Sequence, residues 1–254
     1  MVVATPGLSE DQLKKAVKAL LKHVAKQHAG AKELFEDDEL LHLIVALKKT
    51  PQQGRKDKPL RIPLPHSLYD FDGAEVCLFV KDQKSGEGHK AAKKRLKAGQ
   101  AAGVAKVVGT SKLRTKYESH EAKRNLCAAY DLFLADERIL PSLPKLLGKA
   151  FFRKKKQPVP VDLRGGEWGA QIKRALGATS LFLTGGSCLN LRVARSSMSE
   201  EQCCANVAAA LQGALEHVPK RWAGVQALYL KTADSASLPV YQCLPDAPQR
   251  IASA

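Results

Sequence analysis

The chain has 254 residues, of which 44% are hydrophobic, 26% are charged and only 6% are aromatic. Lys and Arg outnumber Asp and Glu by 41 to 25, which gives a formal net charge of +16. The hydrophobic content is sufficient for the core of one large domain or two small ones. The low aromatic content argues against a binding mode in which exposed aromatic rings stack on nucleic-acid bases. We expect neither a secretory leader nor a membrane span, because no apolar run is long enough.

The first third of the chain predicts one helix followed by two strands. A helix is expected from a cap at Ser9 to Gly30, because apolar residues recur at helical spacing. Residues 41–47 are predicted to form a buried strand, and the proline-bearing residues 60–66 an edge strand or the end of a strand. A turn at 70–73 marks the first domain boundary.

The middle of the chain alternates predicted strands with predicted helices, which is typical of a parallel sheet with helices on its faces. The strands are expected at 75–81, 105–108 and 131–135, and the helices at 90–102, 119–129 and 143–150. A basic, proline-containing stretch at 153–160 closes this part.

Beyond residue 163 the pattern changes. A helix is predicted at 167–176, followed by strands at 180–184 and 189–195 that Gly185-Gly186 would join as a hairpin. A second helix is expected from Ser199 or Glu200 to about His217. A final strand is predicted at 225–230, with 237–241 as its extension.

The two outer parts look incomplete on their own, so we predict a single α+β domain that both of them build. Its ranges are 1–72 and 163–254, and residues 73–162 form an inserted Rossmann-like α/β domain with a parallel sheet. The fold class is therefore α/β (α+β) with two domains.

The positive charge is concentrated in the predicted inserted domain. Residues 74–162 hold 20 Lys/Arg and 9 Asp/Glu, a net charge of +11, whereas the rest of the chain has a net charge of only +5. A folded segment with this charge favours a polyanion as partner, most often nucleic acid. The alternative is a solvated face that keeps the protein in solution.

Catalytic and cofactor motifs find little support. Gly86-Glu87-Gly88-His89-Lys90-Ala91 matches G-x-G-x-x-A before a predicted helix, as in dinucleotide-binding loops. The next strand ends in Val108-Gly109-Thr110, without the carboxylate that would bind ribose. The seven histidines and six cysteines show no metal-ligand spacing. We therefore predict no catalytic residue, metal or cofactor, and no small-molecule substrate.

Cysteine usage and one basic run bear on the compartment. Most of the six cysteines lie in apolar stretches and none forms a C-x-x-C pair, which favours a reducing compartment without structural disulfides. The run Arg153-Lys154-Lys155-Lys156 could act as a nuclear address. The sequence thus allows cytosol or nucleus.

Several segments in order resemble the ribosomal protein L-one family, which comprises large-subunit stalk proteins and their nucleolar relatives. The first is Leu60 to Leu68 (LRIPLPHSL), which leads into Val76-Cys77-Leu78-Phe79-Val80. The others are Asp131-Leu132-Phe133-Leu134-Ala135 and Ala227-Leu228-Tyr229-Leu230-Lys231-Thr232. The resemblance covers nearly the whole chain and implies a split α+β domain with an inserted Rossmann-like domain.

Two departures from the stalk proteins resemble the eukaryotic ribosome-biogenesis branch. Stalk proteins carry a Thr-Met-Gly-Pro loop that meets ribosomal RNA, whereas this chain has Ala233-Asp234-Ser235-Ala236, in which Asp234 would repel phosphate. Stalk proteins also carry a Gly/Pro-rich stretch, whereas here residues 147–153 lead into lysines.

The resemblance and the charge pattern together indicate candidate RNA-binding residues. The candidates in the split domain lie after the first strand, at the end of the strand 189–195 and in the last loop: Lys48, Lys49, Arg195, Lys231, Thr232 and Ser235. In the inserted domain, the candidates are a lysine face on one helix and the basic loop: Lys90, Lys93, Lys94, Lys97, Arg153, Lys154, Lys155 and Lys156.

We therefore predict a non-catalytic RNA-binding factor of ribosome assembly in the nucleolus. Its partners would be precursor ribosomal RNA, other assembly factors and ribosomal proteins, and it would not bind membranes. Two alternatives stay open: a stalk protein of the mature large subunit, and a nucleotide-dependent enzyme built on the inserted domain.

Overall fold

A computed structural model of the chain describes residues 8–30, 38–51, 59–69, 75–82, 88–98, 104–154, 156–165, 167–183 and 185–243. Two compact units divide the chain. Unit one comprises Met1–Gly54 and Thr184–Ala254, and unit two comprises Arg55–Leu183.

The described residues form ten strands and eight α-helices. The strands are β1 (Leu40–Leu47), β2 (Leu60–Pro63), β3 (Val76–Val80), β4 (Val104–Gly109), β5 (Leu132–Asp136), β6 (Val159–Val161), β7 (Ala178–Leu181), β8 (Cys188–Arg195), β9 (Val225–Lys231) and β10 (Leu238–Gln242). The helices are α1 (Glu10–Gly30), α2 (Gly88–Ala98), α3 (Thr110–Thr115), α4 (His120–Ala128), α5 (Leu143–Leu147), α6 (Lys149–Arg153), α7 (Trp168–Leu176) and α8 (Glu200–Leu215).

Unit one is built on an antiparallel sheet with the strand order β10-β9-β1-β8. β1 lies inside this sheet and pairs with β8 on one side and with β9 on the other. Its residues Leu41, Leu43, Val45 and Leu47 are all buried, as expected for alternate residues on the core face of a strand.

Helices α1 and α8 contact each other and cover the core face of that sheet. The hydroxyl of Ser9 accepts a hydrogen bond from the Gln12 amide, so the predicted cap of α1 is present. Helix α8 begins with a capping box between Ser199 and Gln202. The large buried residues of α1 recur every three or four positions, at Leu13, Val17, Leu20 and Val24, and the smaller Ala16 is buried beside them.

Unit two holds a parallel sheet with the strand order β4-β3-β5-β6. All five residues of β3 are buried, since a parallel sheet has helices on both faces. On one face the Phe79 and Phe133 rings stack at 5.6 Å, and the Phe151 ring of α6 meets Phe133 edge-on at 4.9 Å. Side chains of α3, α4 and α5 complete this core.

The mixed α/β fold with one parallel sheet and separate antiparallel sheets confirms the predicted fold class. The predicted domain boundaries at 72/73 and 162/163 differ from the ends of the compact units, which lie at 54/55 and 183/184. As a result β2, α7 and β7 belong to unit two. The predicted turn at 70–73 lies outside the described residues.

The predicted hairpin across Gly185-Gly186 is wrong. β7 pairs with β2 in a two-stranded antiparallel sheet, from Leu60 opposite Leu181 to Pro63 opposite Ala178. β8 pairs instead with β1. Alternating apolar residues define the buried side of a strand but not its partner, so the sequence pattern did not distinguish the two pairings.

Four further elements differ from the prediction. Residues 238–242 do not extend β9 but turn back as the antiparallel strand β10. The helix expected at 143–150 is two short helices, because Gly148 has a φ of 69° that ends the first one. Helix α3 and strand β6 were not predicted, and both are short.

Candidate nucleic-acid interface

The sheet of unit one carries polar residues on the face opposite α1 and α8. Here His42 of β1 stands directly between Arg192 of β8 and Lys231 of β9. Residues that face each other across paired strands project from the same side of the sheet, so these three form one row. Arg192 and Lys231 are half-buried, which leaves part of each cation at the surface.

The neighbouring row on the same face is Asn190, Ile44 and Tyr229. The Asn190 Oδ1 atom lies 3.1 Å from His42 Nδ1, so the two rows are linked. The half-buried Tyr229 gives the face an aromatic ring with a hydroxyl group. This arrangement of cations, amide and hydroxyl suits contacts with phosphate and 2′-hydroxyl groups.

Lys231 is among the residues predicted from the sequence, whereas Arg192, His42 and Asn190 are not. The strand pattern was available, because polar residues alternate with Leu189, Leu191 and Val193 in β8. The pairing of β8 with β1 was not predicted, and only that pairing places Arg192 beside His42.

Arg195 ends β8 and is held by Asp38. Its guanidinium Nη1 donates to Asp38 Oδ2 at 2.9 Å, while the Ser196 hydroxyl and the Ser197 amide donate to Asp38 Oδ1 at 3.0 and 3.1 Å. Burial alone would raise the pKa of the Asp38 carboxyl, but the Arg195 guanidinium and these donors hold the pKa below its ordinary value. Arg195 is therefore a cation already paired with a carboxylate.

Lys48 and Lys49 follow the other end of β1, and both side chains are exposed. The Lys48 amide donates to the Gly224 carbonyl at 2.9 Å, which brings the segment before β9 alongside. That segment contributes Lys220 and Arg221, which are exposed and have φ values of 61° and 49°. These two cations are not among the residues predicted from the sequence.

Thr232 and Ser235 form a closed turn after β9. The Ser235 hydroxyl accepts from the Thr232 amide at 2.9 Å, and the Thr232 hydroxyl accepts from the Ser235 amide at 3.3 Å. Both residues are buried, with Thr232 at 0% exposure. Since their hydroxyls stabilise the turn, they are not part of the surface proposed below.

The lysine face of unit two is described only in part. Lys93 and Lys94 of α2 are exposed. The backbone at Lys90 and Lys97 belongs to the same helix, but their side chains lie outside the described residues.

The predicted basic loop at 153–156 needs correction. Arg153 is the last residue of helix α6, although its side chain and the whole of Lys155 are outside the described part. Lys154 is exposed. The Lys156 ammonium instead donates to the carbonyls of Cys127 and Tyr130 at 3.2 and 2.7 Å, where it satisfies the end of α4.

Other site chemistry is limited in the described ranges. They contain no group of His, Cys, Asp and Glu residues that could hold a metal ion, and no helix that is long and apolar enough to cross a membrane. All six cysteines are free thiols. Burial raises the pKa of Cys77 to about 12 and that of Cys203 to about 11, so both stay protonated at neutral pH.

A helix-backed antiparallel sheet that is interrupted by a parallel-sheet unit is the architecture implied by the L-one resemblance. The chain belongs to the Ribosomal protein L1p/L10e family, whose family model matches residues 20–236. The predicted family is thereby confirmed.

Individual relatives separate into two groups by name. The chain is 32% identical to the mouse (Mus musculus) protein "Ribosomal L1 domain-containing protein 1", over 92% of this chain and 52% of the relative. It is also 32% identical to "Putative ribosome biogenesis protein C8F11.04" of Schizosaccharomyces pombe, over 92% of this chain and 65% of the relative. "Large ribosomal subunit protein uL1" of Dictyostelium discoideum is 24% identical, over 92% of this chain and 99% of the relative. The chain thus spans between half and two thirds of the length of the first two relatives.

The Asp38 network predicts a specific acid dependence of stability. Because the pKa of Asp38 is lowered by folding, its stabilisation is fully present at neutral pH and is lost as the pH falls through the folded-state pKa. Urea unfolding of the Asp38→Asn variant should therefore show a shallower loss of stability between about pH 5 and pH 3 than wild type. The matched control is Asp131→Asn, an exposed aspartate, which should keep the wild-type slope; equal slopes for all three proteins would contradict the assignment.

Proposed function

We propose that this chain is a non-catalytic RNA-binding factor of ribosome assembly. It binds precursor ribosomal RNA within a pre-ribosomal particle in the nucleolus, next to other assembly factors and ribosomal proteins. The observation that carries the proposal is the row Arg192–His42–Lys231 on the sheet face opposite the helices, in a chain of the ribosomal L1 family. The name of the S. pombe relative, a ribosome biogenesis protein, supports the assembly role.

Contacts with the RNA backbone fit this surface better than base stacking. The row has two half-buried cations, Arg192 and Lys231, on either side of the buried His42 imidazole, with an amide and a tyrosine hydroxyl in the next row. Lysine, arginine and hydroxyl groups bind phosphate and 2′-hydroxyl oxygens, which are common to all RNA sequences, so the protein would recognise the shape of a folded RNA. Scaffolding of that RNA requires no reaction.

Unit two supplies a second basic surface. Lys93 and Lys94 are exposed on α2 within a segment of net charge +11. With the row on unit one, this gives the chain two basic surfaces on two compact units. Binding of one RNA by both surfaces would be tighter than binding by either surface alone, since the second contact becomes intramolecular.

The mature stalk protein is the alternative function. The identity with the D. discoideum uL1 protein over almost its whole length favours it. Against it, Asp234 is exposed in the turn that corresponds to the RNA-contacting loop of stalk proteins. Fractionation distinguishes the two functions: an assembly factor is absent from purified mature subunits, and a stalk protein is present there.

The double variant Arg192→Gln/Lys231→Gln should weaken binding to a precursor rRNA transcript by removing two phosphate contacts. The slope of log affinity against log salt concentration should fall by about two units relative to wild type. Filter binding at several salt concentrations measures this slope.

A charge-matched control separates a local contact from the effect of net charge. Lys15→Gln/Lys22→Gln removes two exposed cations from α1, on the helix-covered side of unit one, and should leave the slope within half a unit of wild type. The row would not be the RNA contact if both double variants lowered the slope equally.

Charge reversal on α2 tests the second surface separately. The Lys93→Glu/Lys94→Glu variant should also lower the salt slope by about two units. Lys112→Glu/Arg114→Glu, which reverses two exposed cations on α3 of the same unit, is the control and should not change it. An unchanged slope for the α2 variant would assign that face to protein partners or to solvation.

A further inference from the structure

Unit two contains a cleft at one end of its parallel sheet. The sheet order β4-β3-β5-β6 means that the chain leaves β3 toward β4 on one side, through α2, and leaves β5 toward β6 on the other. In doubly wound sheets of this kind, ligands bind where the two directions diverge, outside the carboxyl ends of the strands. The cleft lies there: Lys81 and Asp82 follow β3, and Asp136 ends β5.

The cleft is large enough for a small ligand. Its volume is about 390 Å³, within the range typical of small-molecule sites. Ala91 and Ala92 of α2 form one wall, and small side chains at these positions leave room between the helix and the strand ends. Leu163 after β6 and Trp168 at the start of α7 also line the cleft.

Four cations surround this space: Lys81, Arg95, Arg138 and Arg164. All four side chains are exposed. Arg138 is paired with Asp136, whereas in the described part of the chain no carboxylate lies within ion-pair distance of Lys81, Arg95 or Arg164. The cleft therefore has three cations whose charge no described carboxylate neutralises.

The two acidic residues of the cleft are both held by donors of the protein. Asp136 accepts from the Arg138 amide at 3.0 Å and from its guanidinium, in a bidentate pair. Asp82 accepts from the Thr110 hydroxyl at 3.2 Å and from the Ser111 amide at the start of α3. Gly109 leaves the space for this carboxylate, since a Cβ atom there would lie 2.1 Å from Asp82 Oδ1. These bonds engage both oxygens of Asp136 but only Oδ2 of Asp82, so they reduce part of the repulsion that the two acids would exert on an anion.

Arg95 is fixed in position by an aromatic ring. Its guanidinium carbon lies 5.6 Å from the centre of the Trp168 ring, and the Trp168 indole N–H donates to the Gly165 carbonyl at 2.9 Å. A stacked guanidinium loses less rotational freedom when it binds an anion, and its planar N–H groups match two phosphate oxygens.

We propose that this cleft is a binding site for a nucleotide phosphate, formed by Arg95 and Arg164 with Lys81 and with Trp168 as its rigid wall. The ligand is a phosphate monoester, carried either by a free mononucleotide or by the 5′ end of an RNA strand. The site shares no residue with the row on unit one, so an experiment can reject the phosphate site without affecting the proposed RNA-binding face.

Tryptophan fluorescence gives a local readout in the full chain. Trp168 and Trp222 are the only two tryptophans, so a Trp222→Phe background leaves Trp168 as the sole reporter. Titration with inorganic phosphate, with AMP and with a short 5′-phosphorylated RNA should each give a saturable change. In Arg95→Gln and in Arg164→Gln, the affinity for AMP should fall roughly tenfold. Lys145→Gln, which removes an exposed cation of unit two outside the cleft, should bind AMP like the parent.

The probes also distinguish the two sources of the phosphate. Tighter binding of the 5′-phosphorylated RNA than of AMP, with loss of binding for the same RNA ending in a 5′-hydroxyl, would assign the site to an RNA end. Equal or tighter binding of AMP would assign it to a mononucleotide. The proposal is overturned if no probe gives a saturable signal up to 10 mM, or if Arg95→Gln and Arg164→Gln, with wild-type thermal unfolding, bind AMP as well as Lys145→Gln does.

Discussion

The pairing of β1 with β8 and β9 is the constraint on which the rest of the structure depends. β1 is in the first fifth of the chain, and its two partners come from the last third. The sheet of unit one is complete only when β8 and β9 pair with β1, so the intervening chain of unit two must form its own hydrophobic core. The parallel sheet with its Phe79–Phe133–Phe151 cluster provides that core.

The same pairing creates the proposed RNA-binding row. Arg192, His42 and Lys231 are separated by 39 to 189 positions in the chain, yet they are neighbours because β8, β1 and β9 are adjacent. The helices cover one face of the sheet, where the large buried side chains of β1 lie, whereas Arg192, Lys231 and Asn190 lie on the other face together with Ile44. The proposed surface thus follows from the topology and needs no dedicated loop.

The sequence predicted what local patterns determine and missed what pairing determines. Helix α1, with its Ser9 cap, and the fully apolar strand β3 were predictable because their signals are local. The partner of β7 was not, since period-two alternation defines a face and not a neighbour. The same limit applies to the site. Lys231 was predicted from the family resemblance, whereas Arg192 was not predicted. The burial of Thr232 and the hydrogen bonds of Lys156 at the end of α4 depend on tertiary contacts that no sequence motif encodes.

The central claim is that this chain acts on precursor ribosomal RNA through the face of unit one. Ultraviolet cross-linking of the tagged protein in cells, with sequencing of the attached RNA, tests it most directly. The account predicts that reads from precursor rRNA, including transcribed spacers absent from mature ribosomes, dominate in wild type and decrease strongly when the row is neutralised. Reads at background level, or reads restricted to mature rRNA and unchanged by that neutralisation, would contradict it.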